Sequence, residues 1–342
     1  MVSALTLAYA SDASRSSDST RHIPMMNFPA DVFPIKTESA FALRRFDISA
    51  AELFFLADEI ANLAKLAAQD RLAIVLVDHN NPVEALRPLA SAIRLVVDHH
   101  KLVENSALPT TATQRIQLVG SCSSLVCDYV RSELRLESIP AELCQLVAQT
   151  ILIDTANFSP NQLVDQLDRD QYSFVTTQLP EWDQESEYEK IVAARFTIDG
   201  LTTRQLLLKD AKFMPTRSKS VFASTIHCDL DDYFRRDNFL ADLDTFYRNE
   251  TNDSSVLLLM GTVSSGVNRG FGWYAKNLND QKFSEKFRAW QDSVEIFKMG
   301  EYENTIPLPE YAGLRTIAGS SGKVVSRKKA MPLFLPWFEQ NF

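Results

Sequence analysis

The stretch Ala92 to Asn105, "AIRLVVDHHKLVEN", decides how the first half of the chain is read. Its apolar run, Leu95-Val96-Val97, stops abruptly at Asp98-His99-His100, which uses two of the five histidines in the whole chain. Just upstream, "RLAIVLVDHN" (71–80) repeats the pattern: a β-branched run that ends in an acid, Asp78, followed by His79. Short, nearly continuous apolar runs of this kind are what strands covered on both faces look like, so a parallel sheet flanked by helices is expected. "NPVEALRPLASA" (81–92) lies between the two runs and reads as the helix of a compact βαβ unit.

The reading extends in both directions. "MVSALTLAY" (1–9) looks helical and precedes a Ser/Asp-rich loop; "IPMMNFPADVF" (23–33) reads as an extended segment punctuated by prolines. "RIQLVG" (115–120) is a further strand, and the serines that open "SCSSLVCDYVRSEL" (121–134) can cap a helix. Pro140 suits the first turn of a long helix through "AELCQLVAQTILIDTANF" (141–158), and the acidic "LPEWDQESEYEK" (179–190) suggests a solvated helix before a linker. Beyond Gly200 the texture changes. "LTTRQLLLKDAKF" reads as helical, "SVFASTIHC" as a strand and "DDYFRRDNFLADLDTFYRN" as one long amphipathic helix. "SSVLLLMGTV" and "GFGWYA" read as strands, "EKFRAWQDSVEIFK" as a helix, and "LRTIAGSSGKVVSRKKAMPLFLPWF" closes a second α/β domain.

Composition bounds the function. At 342 residues, two domains are the natural expectation. A net charge of −9 argues against general nucleic-acid binding, while leaving room for a local basic pocket that takes an anionic substrate. Four widely spaced cysteines without a CxxC pair read as free, mostly buried thiols. No apolar run approaches the roughly 18 residues of a membrane span, and no secretory leader is visible. A cytoplasmic protein with no membrane partner is the expectation.

In open parallel sheets ligands gather beyond the carboxyl ends of the strands. Asp78 and the Asp98-His99-His100 triplet would share that rim, and Asp154 interrupts the apolar helical stretch "TILIDTANF", where a carboxylate needs a partner. An acid at one strand end is ordinary turn chemistry, and His79 divides between a supporting role and a solvated turn. Three such places with mixed carboxylate and imidazole suit divalent Mg, Mn or Co, and the chemistry of a metal-dependent phosphoesterase.

The motifs carry a resemblance. "VDHH" at a strand end, the upstream "LVDHN", the downstream "ILIDTANF" and the "LVGSCSSLV" between them resemble motifs of the DHH phosphoesterase superfamily. "FTIDGLTTRQLLLKDAKF" and "VSRKKAMPLFLP" resemble its companion C-terminal domain, DHHA2, in the exopolyphosphatase and Prune branch related to family II inorganic pyrophosphatases. The resemblance implies an α/β fold: a parallel-sheet DHH domain over 1–185, a smaller DHHA2 domain with linker over 186–342, and an active site in the cleft between them. It implies a two-metal site for Mn2+ or Mg2+, with Co2+ as a third option, that activates water against terminal phosphates of inorganic polyphosphate or pyrophosphate. Asp78, His99 and Asp154 then resemble metal ligands, His100 the histidine facing phosphate, and Asp98 an acid that binds or orients. Lys212, Arg327 and Lys328, with Lys329 assisting, resemble the cations that grip the distal phosphates. A short-nucleotide phosphodiesterase and a phosphate-binding scaffold without turnover are the alternatives.

The family's first motif, an Asp-x-Asp on a strand before the first helix, has no counterpart ahead of "MVSALTLAY", and Asp12 in the following loop is not assumed to substitute for it. The expectation is an N-terminally truncated chain lacking two ligands, with little hydrolysis of polyphosphate as written.

Overall fold

A computed structural model describes residues 1–14, 20–104, 106–217, 220–251, 256–263, 268–275, 280–294, 312–317 and 327–342. Ser254 and Ser255 of one expected strand, the end of the expected helix at 295–298, and 318–326 of the closing segment lie outside them. The chain folds as two compact units, Met1–Phe196 and Thr197–Phe342.

In the first unit, α1 (Val2–Ala13) is followed by β1 (Met25–Met26), α2 (Thr37–Arg44), β2 (Phe54–Phe55) and α3 (Leu56–Ala67). The strands β3 (Ile74–Val77), β4 (Ile93–Asp98) and β5 (Thr113–Ile116) then form a parallel sheet in the order β3-β4-β5. Helices α4 (Cys122–Ser132), α5 (Ala141–Asp154), α6 (Gln166–Thr176) and α7 (Gln184–Phe196) complete the unit. The two neighbours Val96 and Val97 explain the apolar run. Val97 joins the cluster built with Val126, Leu125 and Ile151, while Val96 faces the opposite cluster of Leu76, Leu86 and Leu89. Central β4 is thus covered on both faces, each valine contributing about 1.5–3 kcal/mol by leaving water.

Four local differences from the pattern-based reading have physical causes. Edge strand β3 is covered mainly on one face, with Val75 exposed and Leu76 buried, because only β4 flanks it among the described residues. The β3–β4 connection contains a 3₁₀ helix, Glu84–Ala92, where an α-helix was expected; Pro88 inside it has no N–H to donate to an i→i−4 bond. Asp12 sits in the last turn of α1 and accepts from His22 Nδ1 at 2.7 Å. The acidic helix α7 is not wholly solvated: Glu187 is buried, its carboxylate accepting from Arg45, Gln149 and Lys190.

The second unit builds α8 (Thr203–Lys209), β6 (Ala211–Pro215), β7 (Ser220–Asp229), α9 (Leu230–Phe234), α10 (Phe239–Glu250), β8 (Val256–Val263), β9 (Asn268–Tyr274), α11 (Asp280–Ser293), β10 (Ala312–Ile317) and α12 (Arg327–Asn341). Its sheet runs β10-β9-β8-β7-β6, with β7 and β8 parallel and the other pairs antiparallel. Along β8, Leu257 and Leu259 enter one core with Leu206 and Phe246, while Leu258 and Met260 enter the other with Phe283 and Phe334. Burial on both faces is why "VLLLM" shows no polar alternation. The expected long amphipathic helix is two helices, α9 and α10, broken at Asn238, which takes the left-handed conformation with φ 58°.

Val97→Ala should lower the unfolding free energy by about 2 kcal/mol, whereas Val75→Ala, on the exposed side of the edge strand, should cost under about 0.5 kcal/mol. Urea denaturation of both variants checks this division of the sheet.

Candidate metal centre

The site begins at the carboxyl ends of β3 and β4. The Asp78 N–H still donates to the Val97 carbonyl at 2.9 Å, so the ladder continues one residue past β3. The backbone then turns through φ 67° at Asp78, a conformation that few residues other than glycine adopt without cost. Its carboxylate lies 3.2 Å from His99 Nε2 and 4.0 Å from His100 Nδ1. One donor atom from each of Asp78, His99 and His100 falls within 4.8 Å of the others, a spacing able to hold a cation.

His99 is the best-fixed member. Its Nδ1 donates to the Val119 carbonyl at 3.0 Å, so the neutral ring keeps its proton there and offers the Nε2 lone pair toward Asp78. The hydrogen bond with Asp78 holds the His99 imidazolium above its ordinary range, against the lowering effect of burial. Partial burial pushes Asp78 up, but its bond to His99 prevails and holds the carboxyl below the usual range. The two shifts describe one pair: a proton on Nε2 bridges two groups that would otherwise be ready to share a cation.

Asp98 turns inward. Fully buried, its carboxylate accepts from Asn80 Nδ2 at 2.6 Å, His100 Nδ1 at 2.8 Å and the His100 N–H at 3.2 Å. It therefore fixes the ring of His100, which is 60% exposed and stands edge-on to His99 with ring centroids 4.4 Å apart, and leaves Nε2 of His100 uncommitted among the described residues. Asn80 was not singled out in the sequence. It is 2% exposed and ties the rim together, donating also to the Lys101 carbonyl at 3.1 Å and accepting the Val103 N–H at 2.8 Å. His79 points away, with Nδ1 on the Val77 carbonyl at 2.9 Å.

Asp154, the last residue of α5, lines a cavity of about 160 Å3 together with Asp78, Cys122, Glu38 and Arg195. Ser121 Oγ donates to its carboxylate at 2.6 Å. Although part of the residue is exposed, desolvation of its carboxyl among the packed neighbours drives Asp154 up to about 6, and the nearby Asp78 charge adds to the rise, while the Ser121 bond opposes it. Asp154 also contributes to the raised His99. Asp154 thus interacts electrostatically with both Asp78 and His99 but stands outside the tight Asp78–His99–His100 group. Cys122 donates Sγ–H to the Val97 carbonyl, and burial pushes its thiol well above the ordinary range, so it contributes no thiolate. The donor set is mixed imidazole and carboxylate, which fits Mn2+ or Mg2+ better than a thiolate-rich zinc cage.

In the second unit Lys212 is exposed on β6, and Arg327, Lys328 and Lys329 form the first turn of α12, where no acid is present. Arg327 is 14% exposed, and its guanidinium donates to the Asp210 carbonyl at 2.5 Å and the Asp210 carboxylate at 2.6 Å. Its fork is taken. Lys328 and Lys329 remain exposed at a helix end whose dipole already favours anions.

Comparison with known proteins follows this geometry. Residues 189–337, which include Lys212 and the Arg327-Lys328-Lys329 turn, match the DHHA2 domain family. The chain is 28% identical over 268 residues to exopolyphosphatase PRUNE1 of Rattus norvegicus, covering 75% of this chain and 56% of that protein. It is 28% identical over 239 residues to a probable manganese-dependent inorganic pyrophosphatase of Lactiplantibacillus plantarum, covering 63% and 73% respectively. A solved putative family II inorganic pyrophosphatase of Methanococcus jannaschii shares the fold, with TM-score 0.50 at 17% identity over 99% of this chain and 95% of that one. The chain therefore spans little more than half the length of the curated PRUNE1 relatives it matches. Among the described residues, no helix is long and apolar enough to cross a membrane.

Because the Asp154 carboxyl is raised from 3.8 to about 6, the folded state binds the extra proton between those values, and metal-free stability falls as pH rises through that window. Asp154→Asn should remove this slope. With chelator present, the variant should melt higher than the parent at pH 8, by no more than about 1 kcal/mol given solvent at the exposed face of Asp154, and match it at pH 4. Thermal melts across pH check the sign.

Proposed function

From a chain that carries the DHH fold and a DHHA2 domain, we propose a divalent-metal-dependent phosphohydrolase that removes terminal phosphate from inorganic polyphosphate. One observation carries the reading. His99 is fixed at Nδ1 by the Val119 carbonyl and presents Nε2 beside the Asp78 carboxylate, the geometry of a metal-ligating imidazole with its supporting acceptor already in place. Asp78, His99 and Asp154 would hold Mn2+ or Mg2+; such an ion supplies a more acidic water near neutral pH and polarises a phosphoryl oxygen.

The chain's own groups do the rest. Asp98 accepts the Nδ1–H of His100, so that the exposed ring, when it carries its second proton, can donate from Nε2 to a phosphoryl oxygen. Seated on a buried carboxylate, that ring does not have to be ordered when substrate arrives. Lys212, Lys328 and Lys329 offer point charges to a polyanion. Arg327, committed to Asp210, ties the first turn of α12 to the C-terminal cap of α8 and so sets where the two lysines stand.

A pyrophosphatase is the second reading, favoured by the Lactiplantibacillus plantarum relative. Chain-length preference separates the two: a polyphosphatase turns over long chains in preference to pyrophosphate, and the reverse order assigns the chain to pyrophosphate.

Two outcomes test the proposal. Calorimetry should show Mn2+ binding that tightens as pH rises from about 5.5 to 8, because Asp154 and His99 must shed protons, and His99→Ala should abolish it together with whatever Mn2+-dependent phosphate release the chain shows. Equal Mn2+ binding by parent and His99→Ala would sink the reading. The paired substitution of Lys328→Ala with Lys329→Ala should raise KM for long polyphosphate about tenfold or more at low salt, and less at high salt, with kcat little changed.

A further inference from the structure

Asp168 lies outside every motif singled out in the sequence, yet it is fully buried in α6. Its carboxylate accepts four hydrogen bonds from neutral donors. Oδ2 takes the Gly120 N–H at 2.8 Å and the Asp165 N–H at 2.8 Å; Oδ1 takes Ser124 Oγ at 2.6 Å and the Ser121 N–H at 3.1 Å. Two of these are consecutive backbone amides at the start of α4, so the carboxylate occupies the kind of nest that helix N-termini form for anions. The fit is close. A Cβ on Gly120 would come within 2.8 Å of Asp168 Oδ2 and 2.7 Å of the Leu163 carbonyl, so only glycine lets the loop approach.

The clamped loop, Val119-Gly120-Ser121, touches two candidate ligands on its two sides. The Val119 carbonyl accepts the His99 Nδ1 proton at 3.0 Å, and Ser121 Oγ donates to Asp154 at 2.6 Å. Asp168 grips the two amides between these contacts. Ser121 is the joint: its N–H goes to Asp168, while its hydroxyl serves Asp154 and also caps α4 by accepting the Ser123 N–H at 3.3 Å.

We propose that Asp168 is the positioning residue of the metal centre, setting His99 and Asp154 at their mutual distance through the 119–121 loop. The inference rests on the metal-centre reading above. Asp168 makes no contact with the ligand atoms; its effect travels through the loop. Substitution of such supporting partners commonly costs 10–100-fold in metal affinity.

The test is Mn2+ calorimetry on the full chain. Asp168→Asn puts an amide N–H2 against donors on one side of the nest, and should weaken Mn2+ binding by about 10–100-fold while far-UV circular dichroism stays native. Ser121→Ala, which cuts the link to Asp154, should weaken it about tenfold, and the double variant should lose less than the product of the two single losses. A purely structural role for Asp168 would give losses that multiply. Wild-type affinity, within about twofold, in a folded Asp168→Asn protein overturns the proposal, as does full multiplicativity of the two losses. Should Asp168→Asn not fold, Ser124→Ala decides: it removes one donor from the carboxylate and leaves in place the backbone bond from the Ser124 N–H to the Ser121 carbonyl at 3.1 Å. A loss of about threefold or more supports the proposal, and unchanged affinity overturns it. If His99→Ala binds Mn2+ as the parent does, the metal centre itself falls; if His99→Ala loses the ion while Asp168→Asn keeps it, only the positioning role falls.

Discussion

The imidazole of His99 is held at both nitrogens, by the Val119 carbonyl on one side and the Asp78 carboxylate on the other, and the first unit is arranged around that double hold. For the ring to reach both, β4 must end one residue earlier, the chain must turn at Asp78 through a left-handed φ, and the 119–121 loop must pass beside the sheet's carboxyl end. None of these is the cheapest local conformation. The left-handed residue alone costs on the order of 1 kcal/mol for a side chain other than glycine. Burial of Val96 and Val97 on opposite faces of β4 is what offsets it, and it also makes the turn stay put, since shifting the register by one residue would exchange the two faces.

Electrostatics then divides the acids by task. Asp98 is enclosed and surrounded by N–H donors, so its charge serves to orient Asn80 and His100. Asp78 keeps half its side chain open and stays easily ionised. Asp154 is pushed toward neutrality by burial and by the Asp78 charge. An ionised Asp78 beside an imidazolium, with its charge adding to the raised proton affinity of Asp154, is a poor resting arrangement for a metal-free protein. Under the proposed function, a divalent cation replacing the shared protons would turn it into a favourable one.

Much of this frame was legible in the amino-acid order. The buried parallel strand showed in "LVV" because a strand covered on two faces has no polar alternation to lose; "VLV" read the same way although β3 is an edge strand that leaves Val75 exposed, and the strand-end acids showed because polar residues end such runs abruptly. The supporting groups were hidden for a physical reason. Asn80, Ser121 and Asp168 are ordinary turn and cap residues by composition, and their importance comes from partners 18, 33 and 47 positions away. For Asp168 the one local sign was Asp165-x-x-Asp168, a capping box that announces a helix start and nothing more. Glu187 misled in the opposite sense: an acidic run reads as solvated, yet its charge is drawn inward by Arg45 at the C-terminal cap of α2.

The second unit shows the limit of carrying a role by residue type. Arg327 belongs to a basic triplet, and a planar guanidinium is the natural partner of a phosphate fork, but it is equally the natural partner of a carboxylate next to a carbonyl. Asp210 supplies both acceptors within 2.6 Å, so an incoming anion would have to displace two charge-assisted bonds to recruit Arg327. Lys328 and Lys329 face no such cost. Their repulsion from each other and from the positive end of α12 would be eased by a bound anion, which is what the proposed polyanionic substrate would supply.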